Sequence, residues 1–317
     1  VTASDWHSEY PFASHEIEID SRRYHYVDEG QGDAPLVAVH GNPTWSFYWR
    51  RLVAGLSPSR RVLAVDHMGC GLSDKPQRYP YTLAQHRDNL LTWIERLGLE
   101  RITLVVHDWG GAIGLAAAVE RPERFARLIV TNTAAFPPPY VPWRIAACRT
   151  PLVGTAALRG LNLFARAATT MATDRYRRLP ASAARGLLAP YNNWSHRVAI
   201  NRFVRDIPLT RRHPTYETLR ALEERLPTLA DKPIQLIWGM QDWCFRPECL
   251  RRFQQVWPAA ETVELVDVGH YVMEDAPTEA VAAISDFLSR TDARVGGSPA
   301  RPTPPEPSAS GPSVSDV

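Results

Sequence analysis

The sequence predicts an α/β protein, a mostly parallel sheet with helices on both faces and one inserted helical cap. Three observations carry that prediction. Four short apolar runs, at 36–40, 62–66, 102–107 and 128–131, are separated by helix-like stretches such as 83–97, the alternation expected of a sheet covered on both faces. From about 134 to 230 this rhythm stops. Arg, Ala and aromatic residues there are interspersed with Pro137, Pro138, Pro139, Pro142, Pro151, Pro180, Pro190 and Pro208, which fits helices broken by turns. The alternation then resumes, with strands expected at 234–238 and 262–266 and helices at 247–256 and 277–288.

Ahead of the parallel rhythm, 16–20 and 24–28 read as two alternating strands joined at Ser21-Arg22, an antiparallel hairpin at a sheet edge. The expected division is therefore a first core part over 1–133, a helical cap over 134–230, a second core part over 231–291 and a tail over 292–317. After Arg290 the chain turns to Gly, Ser, Pro and Thr. Such a segment cannot bury enough apolar surface to offset its ordering entropy, so the tail is expected to be disordered.

Composition narrows the function. The chain has 317 residues, 44% hydrophobic, enough for a substantial core. Its net charge is +2 with arginines scattered along it, and Lys75 and Lys232 are the only lysines among 36 basic residues. No dense basic cluster marks a nucleic-acid partner. No apolar run approaches the roughly 18 residues of a membrane span, and the first residues lack a signal-peptide pattern. A soluble, cytoplasmic enzyme is the expectation. Cys70, Cys148, Cys244 and Cys249 form neither a disulfide framework nor a common zinc spacing, and all four read as reduced. Nothing in the sequence implies a metal or an organic cofactor.

The strongest chemical signal is Val106-His107-Asp108-Trp109-Gly110-Gly111, which follows an apolar strand and runs into the helix-like stretch 112–120. That is the strand-turn-helix setting of a nucleophile elbow, the mark of the α/β-hydrolase fold, with Asp108 at the apex. Val106 stands where the usual first glycine would be. Taken alone, Asp108 also reads as an ordinary helix N-cap. An apical carboxylate changes the reaction class. It is a poor acylating group but can displace a leaving group at saturated carbon, leaving an alkyl-enzyme ester.

His270, in a loop between the last strand and the last helix, suits a general base, although a lone histidine is more often structural. Asp242, directly after the strand 234–238, suits the acid that fixes the imidazole tautomer, and the order Asp108, Asp242, His270 is that of nucleophile, acid and base in this fold. The alternative acid position, after 128–131, begins Asn132-Thr133 and offers no carboxylate. Asp267 and Asp275 are further alternatives, read as surface or capping residues. Asn42 and Trp109 are the candidate anion binders. Their backbone N–H groups suit an oxyanion hole, and the Asn42 amide and Trp109 indole suit a departing anion. As plain structure, Asn42 is a turn residue before proline and Trp109 a packing residue.

With these residues in hand, the chain resembles the haloalkane dehalogenase branch of the α/β-hydrolases over roughly 10–290. The resemblance is carried by His40-Gly41-Asn42-Pro43, by 66–74 (DHMGCGLSD), 107–111 (HDWGG) and 238–242 (WGMQD). HDWGG is shared with epoxide hydrolases, whereas Asn42, in place of the aromatic residue usual there, favours the dehalogenase branch. Within that branch, Asn132-Thr133-Ala134-Ala135-Phe136-Pro137, Ala189-Pro190-Tyr191-Asn192-Asn193-Trp194 and Arg205-Asp206-Ile207-Pro208-Leu209 are similar to the bacterial β-lactone decarboxylases of olefin biosynthesis.

That resemblance implies decarboxylation of cis-3,4-dialkyl β-lactones to cis-olefins and carbon dioxide, with a small hydrophobic substrate and work beside β-lactone-forming enzymes. A haloalkane dehalogenase is the second reading. An epoxide hydrolase, with Tyr140, Tyr176 or Tyr191 as acids, is the third. Phe136, Trp143, Leu161, Leu163 and Phe164 suit an alkyl-binding cap, though such residues more often simply pack helices.

Overall fold

The computed structural model describes residues 6–174 and 178–295. The chain opens with β1 (Ser14–Ile19) and β2 (Arg22–Glu29), an antiparallel pair. The two residues between them, Asp20 (φ 48°) and Ser21 (φ 59°), both sit at positive φ, as a two-residue hairpin turn of the I′ kind requires. β1 alternates exposed and partly buried residues because it forms one edge of the sheet.

The parallel body follows. β3 (Leu36–Val39), α1 (Arg50–Leu56), β4 (Val62–Val65), α2 (Leu83–Arg96), β5 (Ile102–Asp108), α3 (Trp109–Glu120) and β6 (Phe125–Thr133) come in that order. Every residue of β3, β4 and β5 is buried, which is why these strands read as continuous apolar runs and not as alternating ones. Thr82 caps α2 by accepting from the Gln85 N–H at 3.3 Å.

β6 starts at Phe125 and ends at Thr133, so Asn132 and Thr133 are strand residues and not the start of a loop. After it come α4 (Trp143–Ala147), α5 (Val153–Thr155), a π-turn over Ala156–Gly160, α6 (Leu163–Met171), α7 (Ala181–Leu188), α8 (Val198–Asp206) and α9 (Pro214–Arg225). α9 returns to pack on α2 and α3, with Leu219 and Leu222 buried in the core cluster of the sheet. The last part of the segment expected as cap is thus packed with the sheet.

β7 (Ile234–Gly239), α10 (Pro247–Val256), β8 (Glu261–Leu265), α11 (Val272–Asp275) and α12 (Pro277–Val295) complete the described residues. Among the described residues eight strands lie in one sheet in the order β1-β2-β4-β3-β5-β6-β7-β8, and all pairings from β4 to β8 are parallel. α12 runs past the expected end at residue 288. Asp292 explains the extension: it takes bonds from Arg60 at 2.7 Å and from the buried Arg127 at 2.8 Å. Residues 292–295 are therefore helical, and the rest of the expected tail, 296–317, lies outside the described residues. Among the described residues, no helix is long and apolar enough to cross a membrane, and all four cysteines are free.

Candidate active site

Asp108 ends β5 and precedes α3 with φ 52° and ψ −129°. A side chain in that conformation is strained, and such strain persists only where the surroundings impose it. The surroundings here are two close approaches. A Cβ on Gly110 would lie 2.1 Å from the Val39 carbonyl, and one on Gly111 would lie 1.9 Å from Thr133 Oγ1. The valine at the usual first-glycine position is accommodated from the other side. A Cβ on Gly114 would come within 2.7 Å of Val106 Cγ1, so the space the elbow needs is supplied by the helix.

The loop after β3 meets this elbow. The Asn42 N–H donates to Asp108 Oδ1 at 2.6 Å, and a Cβ on Gly41 would collide with the same oxygen at 2.1 Å. His40 fixes the loop: its Nδ1–H donates to the Gly41 carbonyl at 2.7 Å and its Nε2 accepts from the His67 N–H at 3.0 Å. The Asn42 side chain is buried, and its Oδ1 has no partner among the described residues. Trp109 stands beside Asp108 with its ring centroid 5.4 Å from that of Phe203.

His270 lies between two carboxylates. Nδ1 is 2.8 Å from Asp242 Oδ2 and Nε2 is 3.6 Å from Asp108 Oδ2. Burial works against a charged imidazole, but the Asp242 and Asp108 carboxylates outweigh it and raise the His270 pKa to about 10. Burial likewise works against the Asp242 carboxylate, but the charge and hydrogen bond of His270, together with the Cys244 N–H and the Asn132 amide, more than offset it and hold the acid below its ordinary range.

Several partners were not legible as site residues. The Asn132 amide donates to Asp242 Oδ2 at 2.9 Å, and the Cys244 N–H donates to Asp242 Oδ1 at 2.6 Å. His107 donates from Nε2 to the His270 carbonyl at 2.9 Å. It is held neutral, with a pKa lowered to about 3 by burial and then by the neighbouring His270. The sequence signal for Asn132 was present: the position lacked a carboxylate but carried an amide. Of the alternative acids, Asp267 is exposed, while Asp275 is buried and accepts from the Gly269 and Asp174 N–H groups, each at 2.8 Å. Asp275 thus braces the loop that carries His270.

Above Asp108 opens a cavity of about 580 Å³, within the range of sites for drug-sized ligands. Asn42, Asp108, Trp109 and His270 form its polar end, and apolar cap side chains form most of the remainder. Phe136, Trp143, Leu163 and Phe164 line it. Leu161 does not; it is exposed, because it precedes α6 and lies outside the cavity wall. Among the described residues, no group of three or more His, Cys, Asp or Glu side chains could hold a metal ion.

Two of the tyrosines named for epoxide opening have their hydroxyls bonded to backbone carbonyls, although the Tyr140 ring lines the cavity. Tyr140 donates its hydroxyl to the Cys244 carbonyl, and the buried Tyr191 donates to the Thr44 carbonyl at 3.0 Å. Tyr176 lies outside the described residues.

Residues 34–277 match the family model described as alpha/beta hydrolase fold. The chain belongs to that family. Relatives place this α/β-hydrolase-fold enzyme in the haloalkane dehalogenase branch. It is 40% identical, over 89% of its length and 90% of the relative's, to the cis-3-alkyl-4-alkyloxetan-2-one decarboxylase of Shewanella oneidensis. It is 34% identical to haloalkane dehalogenase 2 of Mycobacterium bovis, over 87% of its length and 94% of the relative's. The crystal structure of a haloalkane dehalogenase from Agrobacterium tumefaciens superposes with a TM-score of 0.79 at 26% identity, covering 88% of this chain and 96% of that one.

Proposed function

We propose that this enzyme decarboxylates cis-3,4-dialkyl β-lactones, with Asp108 as nucleophile. The observation that carries the reading is the division of labour at Asp108. Oδ1 is held by the Asn42 N–H, whereas Oδ2 lies toward His270, and Asp108 lines the polar end of an apolar cavity. A carboxylate so held has one oxygen fixed and one available for in-line attack.

Oδ2 attacks the ring carbon that bears oxygen, and the ring C–O bond breaks to release a carboxylate. Strain in the four-membered ring favours that step. The Asn42 amide and the Trp109 indole are the donors for the new anion. The carbon–carboxylate bond then breaks, its electrons form the double bond, and the ester C–O bond returns its pair to Asp108. Attack inverts the ring carbon, so an anti-oriented collapse leaves the alkyl groups cis. No water is consumed, and Asp108 is regenerated.

The name of the Shewanella oneidensis relative supports this substrate. By the same reading, an enzyme that closes β-hydroxy acids to β-lactones supplies it, and the two could work as partners.

A haloalkane dehalogenase is the second reading, favoured by the contact of Asp242 with His270 at 2.8 Å. In that reading His270 activates water to cleave the alkyl ester. Esterification of Asp108 removes one of the two carboxylates that hold the imidazole proton, which frees the ring to act as a base. Both readings share the first displacement. The test is to incubate the protein with a cis-dialkyl β-lactone and separately with 1-bromobutane, following olefin by gas chromatography and bromide by ion analysis. Stoichiometric olefin with little bromide is expected. Bromide and butanol without olefin would replace the proposal with the dehalogenase.

A further inference from the structure

Residues 134–173 contain four arginines and no acidic residue. None of the four, Arg144, Arg149, Arg159 and Arg166, forms an ion pair among the described residues; Arg144 and Arg166 are exposed, Arg149 and Arg159 are half-buried, and the Asp206 carboxylate acts on Arg149 from beyond ion-pair distance. Arg149 and Arg159 donate to the carbonyls of Val204 and Trp194, each at 3.2 Å, and Arg144 lies 5.6 Å over the ring of Trp143. Some exposed arginines elsewhere are paired, as Arg220 is with Glu217 and Glu224 and Arg290 with Glu261 and Asp286; Arg202 and Arg205 on α8, also in the cap, are exposed and form no ion pair among the described residues.

The same segment exposes large apolar side chains. Trp143 is 75% exposed and Leu152 85% exposed, and Leu161 and Leu163 are exposed as well. Trp143 and Leu163 also line the cavity, so the exposed patch is continuous with the cavity mouth. Leu152 is presented outward by its backbone. It sits at φ 59° and ψ −60°, with the Val153 N–H bonded to the Pro151 carbonyl at 2.6 Å. That is a γ-turn of the rare, strained kind. A leucine held at the apex of such a turn, in water, has no packing reason to be there.

Exposed tryptophan and leucine beside exposed arginines without an ion-pair partner, Arg144 and Arg166, match one kind of surface, since the apolar groups enter the acyl boundary while the guanidinium groups meet anionic headgroups. We propose that this face of the cap docks on an anionic lipid bilayer and draws apolar substrate from it directly into the cavity. The docking stands on the patch itself and does not depend on which apolar substrate the enzyme uses.

The test is cosedimentation of the full chain with sucrose-loaded vesicles, either of phosphatidylcholine alone or of phosphatidylcholine with phosphatidylglycerol. Binding to the anionic vesicles, weakened by added salt, is expected. The variant Leu152→Asp/Leu161→Asp/Arg166→Glu should bind them more than about tenfold more weakly. None of these three residues lines the cavity, so turnover of a short-chain soluble substrate should be unchanged, and Arg166→Glu alone serves if the triple variant melts early. No sedimentation, equal binding to both vesicles, or an unaffected variant would overturn the proposal. So would a lipid-free dimer that the variant makes monomeric, which would assign the face to a second copy of the chain.

Discussion

The Asn132 side chain joins the carboxyl ends of β6 and β7 by donating to Asp242 at 2.9 Å while accepting from the Gly239 N–H at 2.7 Å. Its neighbour at the elbow, Asp108, and Asn132 itself both sit at positive φ, 52° and 25°. Backbone strain therefore collects at the adjacent ends of β5 and β6, where the candidate site lies.

Asn132→Ala should leave Asp242 one donor short in a buried place. A hydrogen bond to a buried charge is worth about 1.5–3 kcal/mol, and urea unfolding should show a loss of about that size. A loss under about 0.5 kcal/mol would mean that solvent replaces the amide.

The His270 pKa is raised from 6.5 to about 10 on folding. The folded state therefore binds this proton more tightly, and the resulting stability is complete below the unfolded value and lost as the pH climbs through about 10. Thermal melts from neutral to strongly alkaline pH should fall faster for the wild type than for His270→Gln. Parallel curves would show that the histidine does not hold its proton between the two carboxylates.

Asp108→Asn should abolish turnover of either substrate class, because an amide is not a competent nucleophile at saturated carbon. Normal turnover in a folded variant would remove Asp108 from the mechanism. His270→Ala divides the two readings. With a haloalkane it should accumulate a covalent alkyl ester, visible as added intact mass, whereas the β-lactone route needs no activated water and should still release olefin.

Gly114→Ala should destabilise the protein by about 1–3 kcal/mol through overpacking against Val106, although alanine is the better helix former. Val106→Ala in the same chain should recover most of that loss, giving a coupling energy above about 0.5 kcal/mol in a double-mutant cycle. Additive effects would show that Gly114 does not make room for Val106.

Much of the fold was legible because buried parallel strands and amphipathic helices write different periods into the chain. α10 was expected at 247–256 and is observed over Pro247–Val256. Ends were less legible. β6 extends through Asn132 and Thr133 because parallel pairing with β5 continues to that point, a partner that local composition does not reveal. α12 continues because Asp292 finds Arg60 and Arg127, more than 160 residues away in sequence.

The candidate site divides in the same way. The sequence by itself singled out the candidates Asp108, Asp242, His270, Asn42 and Trp109, because strand-turn-helix context and residue type are local properties, and these residues fall in or next to the loops after β3, β5, β7 and β8. Only the tertiary structure decided which atoms meet. It put Asp242 and not Asp275 on His270, gave Asn132 to Asp242, committed the Tyr140 and Tyr191 hydroxyls to backbone carbonyls, and turned one end of the cavity wall out to solvent. Distances between residues far apart in the chain are set by the packing of the whole sheet and its covering helices, and no local pattern encodes them.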